Sequence, residues 1–191
     1  MESFDKFLLD LIKEVPKFDI AKLTTIIRVV KLKKNEVLIN EGSSYSKFFY
    51  VKKGLLRGYN IDENGEDKTI FFIWDKEFGS DPACFLNNKP AKLNWAAVED
   101  CEIIEFNKKG FDEIAQKNIY FLRLKMFFIE KIFLRILDRI ENFIVLNPEA
   151  RFIKMLEERP ALCERIPDKY LASHLGITPV SLCRIRKRAL N

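Results

Sequence analysis

The stretch that decides the fold reads DKYLASHLGITPVSLCRIRK and occupies residues 168–187 of the 191-residue sequence. Ala172 falls where two short helices would cross closely, and Gly176 falls at the turn between them, where a residue without Cβ adopts positive φ at little cost. Thr178 can cap the second helix, and Pro179 suits its first turn. The segment therefore predicts a helix-turn-helix, whose second helix can lie in the major groove of DNA. Its expected interior positions are Leu171, Leu175, Ile177, Leu182 and Ile185.

The second helix of this unit has an apolar face and a cationic face. Leu182, Ile185 and Ala189 follow i, i+3, i+7 spacing and are expected to pack inward. Arg184 lies one turn into the helix, where a guanidinium can bond guanine O6 and N7 as a fork, worth about 1–3 kcal/mol of base discrimination. The alternative is that the basic end only complements the helix dipole. We expect Val180, Ser181 and Arg184 to read bases, and phosphates to be contacted by Thr178, Arg186, Lys187 and Arg188.

The net charge of +5 is unevenly distributed along the chain. Nine Lys and Arg face five Asp and Glu between Asn147 and Asn191, whereas the preceding residues carry 24 basic and 23 acidic groups. The excess positive charge therefore lies with the predicted DNA-binding unit. Hydrophobic residues make up 48% of the chain, which is enough for a buried core.

Several functional classes find no support in the sequence. No apolar run approaches the ~18 residues of a membrane span, and the first residues do not resemble a signal peptide. The four cysteines form no CxxC pair, so a reduced cytoplasmic protein without a metal centre is expected. The only histidine, His174, is interpreted as a packing or surface residue. No phosphate loop, nucleophile elbow or Cys/His pair appears, so neither an enzyme nor a bound cofactor is expected.

The first half of the chain predicts helices followed by a strand roll. Helical spacing extends from Phe4 to about Val30, with Pro16 separating two short helices. Asn64-Gly65, between two strand-like runs, predicts a hairpin. The repeated short strands favour a small antiparallel roll. The expected strands are Val37–Ile39, Phe48–Val51, Leu55–Ile61, Thr69–Trp74, Leu93–Val98 and Cys101–Phe106.

A long helical stretch is predicted from about Phe111 to Leu146, and Asn147-Pro148 should end it. A heptad seam runs along it, which favours a parallel homodimer, although a helix buried within a monomer is the alternative. Phe121, Leu124, Phe128, Ile132 and Leu137 lie off the seam, where they can pack on the roll. The seam residues are Ile119, Leu122, Met126, Ile129, Phe133, Ile136, Ile140 and Phe143.

These elements define an α+β fold with three regions. An N-terminal antiparallel, jelly-roll-like β-roll with flanking helices is expected over residues 1–110 and is interpreted as a sensor. The long dimerisation helix is expected over 111–146, and the helix-turn-helix domain over 147–191. A two-fold dimer would suit DNA half-sites about 34–36 Å apart.

The whole arrangement resembles the Crp/Fnr superfamily of bacterial transcription regulators. The most specific resemblance lies in residues 166–187, and a looser one in Leu38–Gly42, Tyr50–Leu55 and Phe78-Gly79, which resemble a cyclic-nucleotide-binding roll. The resemblance implies a sensor roll, a dimerising helix and an operator reader. It also implies double-stranded DNA with a two-fold symmetric site as a partner, and RNA polymerase as a candidate partner.

Two departures from the family pattern alter the expected mechanism. Cyclic-AMP-binding members have a glutamate after Phe-Gly and an Arg-Ser or Arg-Thr pair further on, whereas this sequence has Ser80 and, at the later position, Ala91-Lys92. Since a buried phosphate needs a charged, preferably bidentate partner, cyclic AMP is not expected to bind in the usual manner. Val180 also replaces a commonly acidic residue, so the half-site should differ there. The residues considered for an effector pocket are Phe78, Gly79, Ser80 and Lys92.

The sequence leaves the effector open, including whether one exists. It also leaves one rival function open: a sensor or interaction module of the cyclic-nucleotide-binding type that does not bind DNA. Neither the operator nor the choice between activation and repression follows from these residues.

Overall fold

The computed structural model describes residues 24–45 and 47–189. The strands of the described chain are β1 Ile27–Leu32, β2 Val37–Ile39, β3 Lys47–Lys53, β4 Leu55–Ile61, β5 Asp67–Trp74, β6 Glu77–Gly79, β7 Asn94–Ala97 and β8 Cys101–Asn107. Its helices are α1 Pro82–Asn87, α2 Lys108–Ala115, α3 Ile119–Val145, α4 Pro148–Glu158, α5 Pro160–Arg165, α6 Asp168–Leu175 and α7 Pro179–Ala189.

The strands form two four-stranded sheets, with orders β1-β8-β3-β6 and β2-β7-β4-β5. β8 lies between β1 and β3 and pairs antiparallel with both. Ile103 of β8 therefore lies opposite Val30 of β1 on one side and opposite Val51 of β3 on the other. Ile103 is fully buried at this central position. The predicted antiparallel roll is confirmed. The chain reverses between β4 and β5 at Asn64-Gly65, as predicted, and Gly65 has the positive φ of 77° that this turn requires.

An aromatic cluster holds the first part of α3 against its neighbours in the roll. Phe128 on α3 lies with its ring centroid 3.9 Å from that of Phe78 and 5.2 Å from that of Phe48. Leu124 and Phe121, one and two turns earlier, are also buried. Of the five off-seam residues expected to pack on the roll, these two and Phe128 are buried and Ile132 is partly buried against the same cluster, whereas Leu137 is 38% exposed.

The chain divides into two compact units, each of which is made of two separate stretches of sequence. One unit contains the chain up to Arg57 and then Phe72–Phe133, while the other contains Gly58–Phe71 and the chain from Leu134 onward. The tip of the β4–β5 hairpin is therefore grouped with the C-terminal helices. The three-region division expected from the sequence had placed it entirely with the sensor.

Two element predictions are wrong in part. Residues 27–30, expected as the end of a helix, begin strand β1, because pairing with β8 gives the β-branched Ile27, Val29 and Val30 a partner that is distant in sequence. The earlier part of the expected N-terminal helices, including Pro16, lies outside the described residues. The stretch expected as one helix from Phe111 to Leu146 is interrupted at residues 116–118, because Asn118 accepts a hydrogen bond from the Tyr120 amide at 2.9 Å and starts α3 anew.

Candidate nucleic-acid interface

Helices α6 and α7 form the predicted helix-turn-helix. Gly176 ends α6 in the left-handed conformation, with φ 73° and ψ 31°, and its amide donates to carbonyls in the last turn of α6. A Cβ built on Gly176 would lie 3.2 Å from the Phe143 ring. The turn therefore requires glycine both for its backbone conformation and for the close approach of this ring.

The interior of the helix-turn-helix is aliphatic, as predicted. Leu171, Ala172 and Leu182 are fully buried, Leu175 and Ile185 nearly so, and Ile177 is partly buried. Ala189, which was expected to pack inward, is exposed in the last turn of α7. The inward-facing stripe of α7 thus ends one turn earlier than its i, i+3, i+7 spacing indicated.

Thr178 caps α7 and engages one of the expected base-reading residues. Its Oγ1 accepts from the Ser181 amide at 3.2 Å and lies 3.0 Å from the Ser181 hydroxyl. The cap predicted for Thr178 is confirmed. The two hydroxyls also bond each other, which leaves Ser181 with unused hydrogen-bonding capacity for DNA.

The outward face of α7 presents an apolar and a cationic side chain at the base-reading positions. Val180 is 62% exposed, and Arg184 and Lys187 are exposed as well. Arg184 is not turned into the protein, so the requirement that this guanidinium be accessible to a groove is met.

The remaining basic residues of α7 are engaged by neighbouring helices. Arg186 forms an ion pair with Asp168 at 2.8 Å and lies over the Phe152 ring, 5.9 Å from its centroid. Arg188 forms an ion pair with Glu149 at 2.8 Å. Exposed pairs of this kind contribute about 0–1 kcal/mol, so a phosphate can compete with them. Arg186 nevertheless braces α7 in this structure, a role that the sequence did not indicate.

Two arginines and one phenylalanine support the helix-turn-helix at the C-terminal end of α6. The guanidinium carbons of Arg139 and Arg151 lie 4.1 and 4.3 Å from the centroid of the Phe143 ring. Arg139 Nη2 donates to the His174 carbonyl at 2.6 Å, and Arg151 Nη2 donates to the Leu175 carbonyl at 2.8 Å. The arginines thus satisfy carbonyls at the end of α6, which a helix end otherwise leaves unpaired. Burial, together with the charge of Arg151, lowers the pKa of Arg139 to about 10.

One residue of the predicted dimer seam also takes part in this arrangement. Phe143 is 40% exposed and is stacked against two guanidiniums beside Gly176. The other seam side chains are exposed or partly buried: Ile119 57%, Leu122 43%, Met126 58%, Phe133 61% and Ile140 49% exposed, with Ile129 and Ile136 intermediate. In the first part of α3 the off-seam residues Phe121, Leu124 and Phe128 are buried on the roll, so the seam residues there are left on the surface.

The residues considered for an effector pocket do not gather around a common space. Phe78 is 5% exposed within the aromatic cluster, and a Cβ on Gly79 would lie 2.3 Å from Ile73. The Ser80 hydroxyl is buried and donates to the Lys47 carbonyl at 3.2 Å. Lys92 is exposed, and it is its backbone amide that bonds to this segment, at the carboxylate of Asp81.

Asp81, which the sequence reasoning did not consider, organises the whole segment. It is fully buried, with an exposure of 0%. Its Oδ1 accepts from the amides of Ala83 and Cys84 at 2.9 and 3.2 Å, and its Oδ2 accepts from those of Lys92 and Leu93 at 2.9 and 3.0 Å. One carboxylate therefore takes up four backbone donors from two separate stretches. The Asp81-Pro82 pair was a visible helix-start signal, but the second pair of donors was not.

Comparison with known proteins gives a family for the roll and a fold for the chain. Residues 29–118 match the cyclic nucleotide-binding domain family. FixK2 from Bradyrhizobium japonicum is similar in structure, with a TM-score of 0.73 at 14% identity over 85% of this chain and 84% of FixK2. A protein described as a Crp/Fnr-family transcriptional regulator from Eubacterium rectale gives a TM-score of 0.74 at 16% identity over 93% and 85% of the two chains. This chain has the Crp/Fnr fold.

The global regulator CLP from Xanthomonas campestris shares that fold, with a TM-score of 0.71 at 14% identity and 91% of each chain covered. In sequence, 81 residues are 27% identical to the potassium channel KOR1 of Oryza sativa subsp. japonica. That match covers 42% of this chain but only 9% of the channel. The chain therefore spans less than a tenth of the length of this relative.

Two searches of the described residues give negative results. No helix among them is long and apolar enough to cross a membrane. Within the same residues, no group of three or more His, Cys, Asp or Glu side chains is arranged to hold a metal ion.

Proposed function

We propose that this protein is a sequence-specific, homodimeric transcription regulator that binds a two-fold symmetric site on double-stranded DNA. The observation that carries the proposal is the exposed face of α7, where Val180, Arg184 and Lys187 project from a fully formed helix-turn-helix. The similar fold of a protein described as a Crp/Fnr-family transcriptional regulator supports it. We place the protein in the cytoplasm, since its four cysteines are free thiols. We also propose that it is not an enzyme, since its candidate site is a recognition surface.

Base recognition is assigned to Val180 and Arg184. Arg184 supplies a bidentate donor for guanine, while Val180 offers an apolar surface to a thymine methyl and cannot accept a hydrogen bond from cytosine. Ser181 can contribute the hydrogen-bonding capacity that its bond with Thr178 leaves unused. Phosphate contacts are assigned to Lys187. They are also assigned to Arg188, Arg186 and Thr178, each of which must first release its present partner.

Dimerisation is assigned to the exposed seam of α3. Four seam side chains, Ile119, Met126, Phe133 and Ile140, are about half or more exposed, while Phe121, Leu124 and Phe128 in the first part of the helix are buried. A row of large apolar side chains at heptad spacing on a 27-residue helix matches what a parallel coiled coil requires. Phe143 is 40% exposed and stays in the assignment, although its ring also contacts Arg139 and Arg151.

The roll is proposed not to respond to cyclic AMP in the usual manner. The phosphate of a cyclic nucleotide needs backbone amides and a cationic partner, and here the available amides are bonded to the carboxylate of Asp81. A second anion beside this buried carboxylate would also be repelled. The ammonium of Lys92 is on the surface and supplies no buried countercharge.

The decisive experiment selects bound fragments from genomic DNA with the purified full-length protein. We expect a two-fold symmetric consensus with half-sites about one helical turn apart. Arg184→Ala should lose about 1–3 kcal/mol of discrimination at one base pair of each half-site. Arg28→Ala removes an exposed arginine of β1 and is the matched control, with unchanged preference. Failure of the wild type to distinguish its selected site from a scrambled one would refute the proposal.

A further inference from the structure

The tip of the β4–β5 hairpin lies in the same compact unit as the helix-turn-helix. Gly58–Phe71 is grouped with the chain from Leu134 onward. β5 is the last strand in the order β2-β7-β4-β5, so one of its edges has no neighbouring strand within that sheet. An edge of this kind presents backbone N–H and C=O groups that need other partners.

A single side chain of α6 supplies partners for that edge. Ser173 Oγ accepts from the Thr69 amide at 2.8 Å and donates to the Asp67 carbonyl at 2.9 Å. The amide and the carbonyl are two residues apart, which is the spacing that a neighbouring strand would satisfy. The hydroxyl acts in place of that strand, and Thr69 is 2% exposed beneath it.

The same end of α6 is held on its other side by the arginine stack. Arg139 donates to the carbonyl of His174, the residue next to Ser173, and its Nη1 lies 3.3 Å from Nε2 of the His174 ring. α6 is thus fixed between the hairpin edge and the C-terminal part of α3. Its buried side chains, Leu171 and Leu175, are on the interior side, and none of these contacts covers Val180 or Arg184 on α7.

We propose that Ser173 is a positioning residue for DNA binding, and that the hairpin tip Gly58–Phe71 is a structural part of the DNA-reading unit. The proposal rests on the proposed function. By fastening α6 to the hairpin, Ser173 holds the helix against which α7 packs, and so limits the orientations that the reading face samples. Restricting these orientations before binding lowers the entropy that must be lost on DNA.

The test compares Ser173→Ala, Ser173→Thr and wild type in the full chain. Ser43→Ala is the matched control, because Ser43 also donates its hydroxyl to a backbone carbonyl, that of Asn40, but in a loop of the other unit. Affinity for the selected DNA site is measured by fluorescence anisotropy, and exchange of the Thr69 amide is followed by NMR or mass spectrometry. Ser173→Ala should weaken DNA binding on the order of 5-fold and speed Thr69 exchange on the order of 10-fold.

Ser173→Thr keeps the hydroxyl and should restore both quantities, while the control should change neither. Unchanged or tighter DNA binding by Ser173→Ala overturns the positioning role, even if Thr69 exchange is faster. Unchanged Thr69 exchange overturns the link to the hairpin itself. If the wild type binds no DNA, the proposed function and the positioning role both fail, whereas the exchange data still decide whether Ser173 fastens the hairpin.

Discussion

Replacing the buried carboxylate of Asp81 with an amide should destabilise the roll strongly. Asp81→Asn keeps the size of the side chain but leaves one oxygen for four backbone donors, so either the pair from Ala83 and Cys84 or the pair from Lys92 and Leu93 faces an NH₂ group. A buried N–H without an acceptor costs about 1–3 kcal/mol. Two of them cost about 2–6 kcal/mol, a large share of the roughly 5–15 kcal/mol that stabilises a typical domain.

Urea unfolding followed by circular dichroism measures this loss. Asp100→Asn is the matched control, because Asp100 also accepts from a backbone amide, that of Lys34 at 3.0 Å, and pairs with Lys33, but its side chain is 61% exposed. The control should lose much less free energy of unfolding, because water can replace the lost contacts of this exposed side chain. If the two variants lose the same free energy of unfolding, Asp81 does not organise the segment and the reasoning fails.

Three further predictions concern the other parts of the chain. Burial, then the charges of Arg139 and Arg159, hold the pKa of His174 well below its ordinary value, so its contribution to stability is complete above pH 6.5 and lost as pH falls below it. The free energy of unfolding should drop by up to about 1.4 kcal/mol per pH unit, and His174→Gln should remove this slope. Met126→Glu should dissociate the dimer in sedimentation experiments without lowering helix content, and an intact dimer would contradict the seam. Titration calorimetry should detect no micromolar binding of cyclic AMP, and heat of saturable binding would contradict the closed segment.

The reading surface was predictable because its determinants are local. Leu171, Gly176 and Leu182 lie within a dozen residues, and the helix geometry alone fixes which of them face inward. The strands with turn signals at both ends were predictable for the same reason, and β4 has the predicted bounds. Local spacing fails where a long-range partner decides: β1 has a helix-like pattern, but Ile27 pairs with Phe106.

The supports of the candidate site were missed for this same physical reason. Asp81 joins a helix start to residues eleven and twelve positions later, and Ser173 bonds residues more than a hundred positions earlier. Arg151 gave no sign that it would stack on Phe143, whose heptad position indicated only the seam. Polar groups that satisfy distant backbone donors and acceptors have no periodic signal, so the sequence pattern identifies the surface that recognises DNA but not the contacts that hold it.

Two contacts in the segment that contains Phe78 and Asp81 indicate that the protein is not controlled by a nucleotide bound in the roll. Asp81 occupies the backbone amides, and the Phe78 ring is packed 3.9 Å from that of Phe128 on α3. A ligand shifts a conformational equilibrium only by the difference in its affinity for the two states. An anion entering this segment would first have to displace a fully buried carboxylate and separate these rings, which makes its binding unfavourable in the packed state. A signal that changes DNA binding is therefore expected to act on contacts such as those of Ser173, which lie beside the reading helices and can exchange without opening the roll.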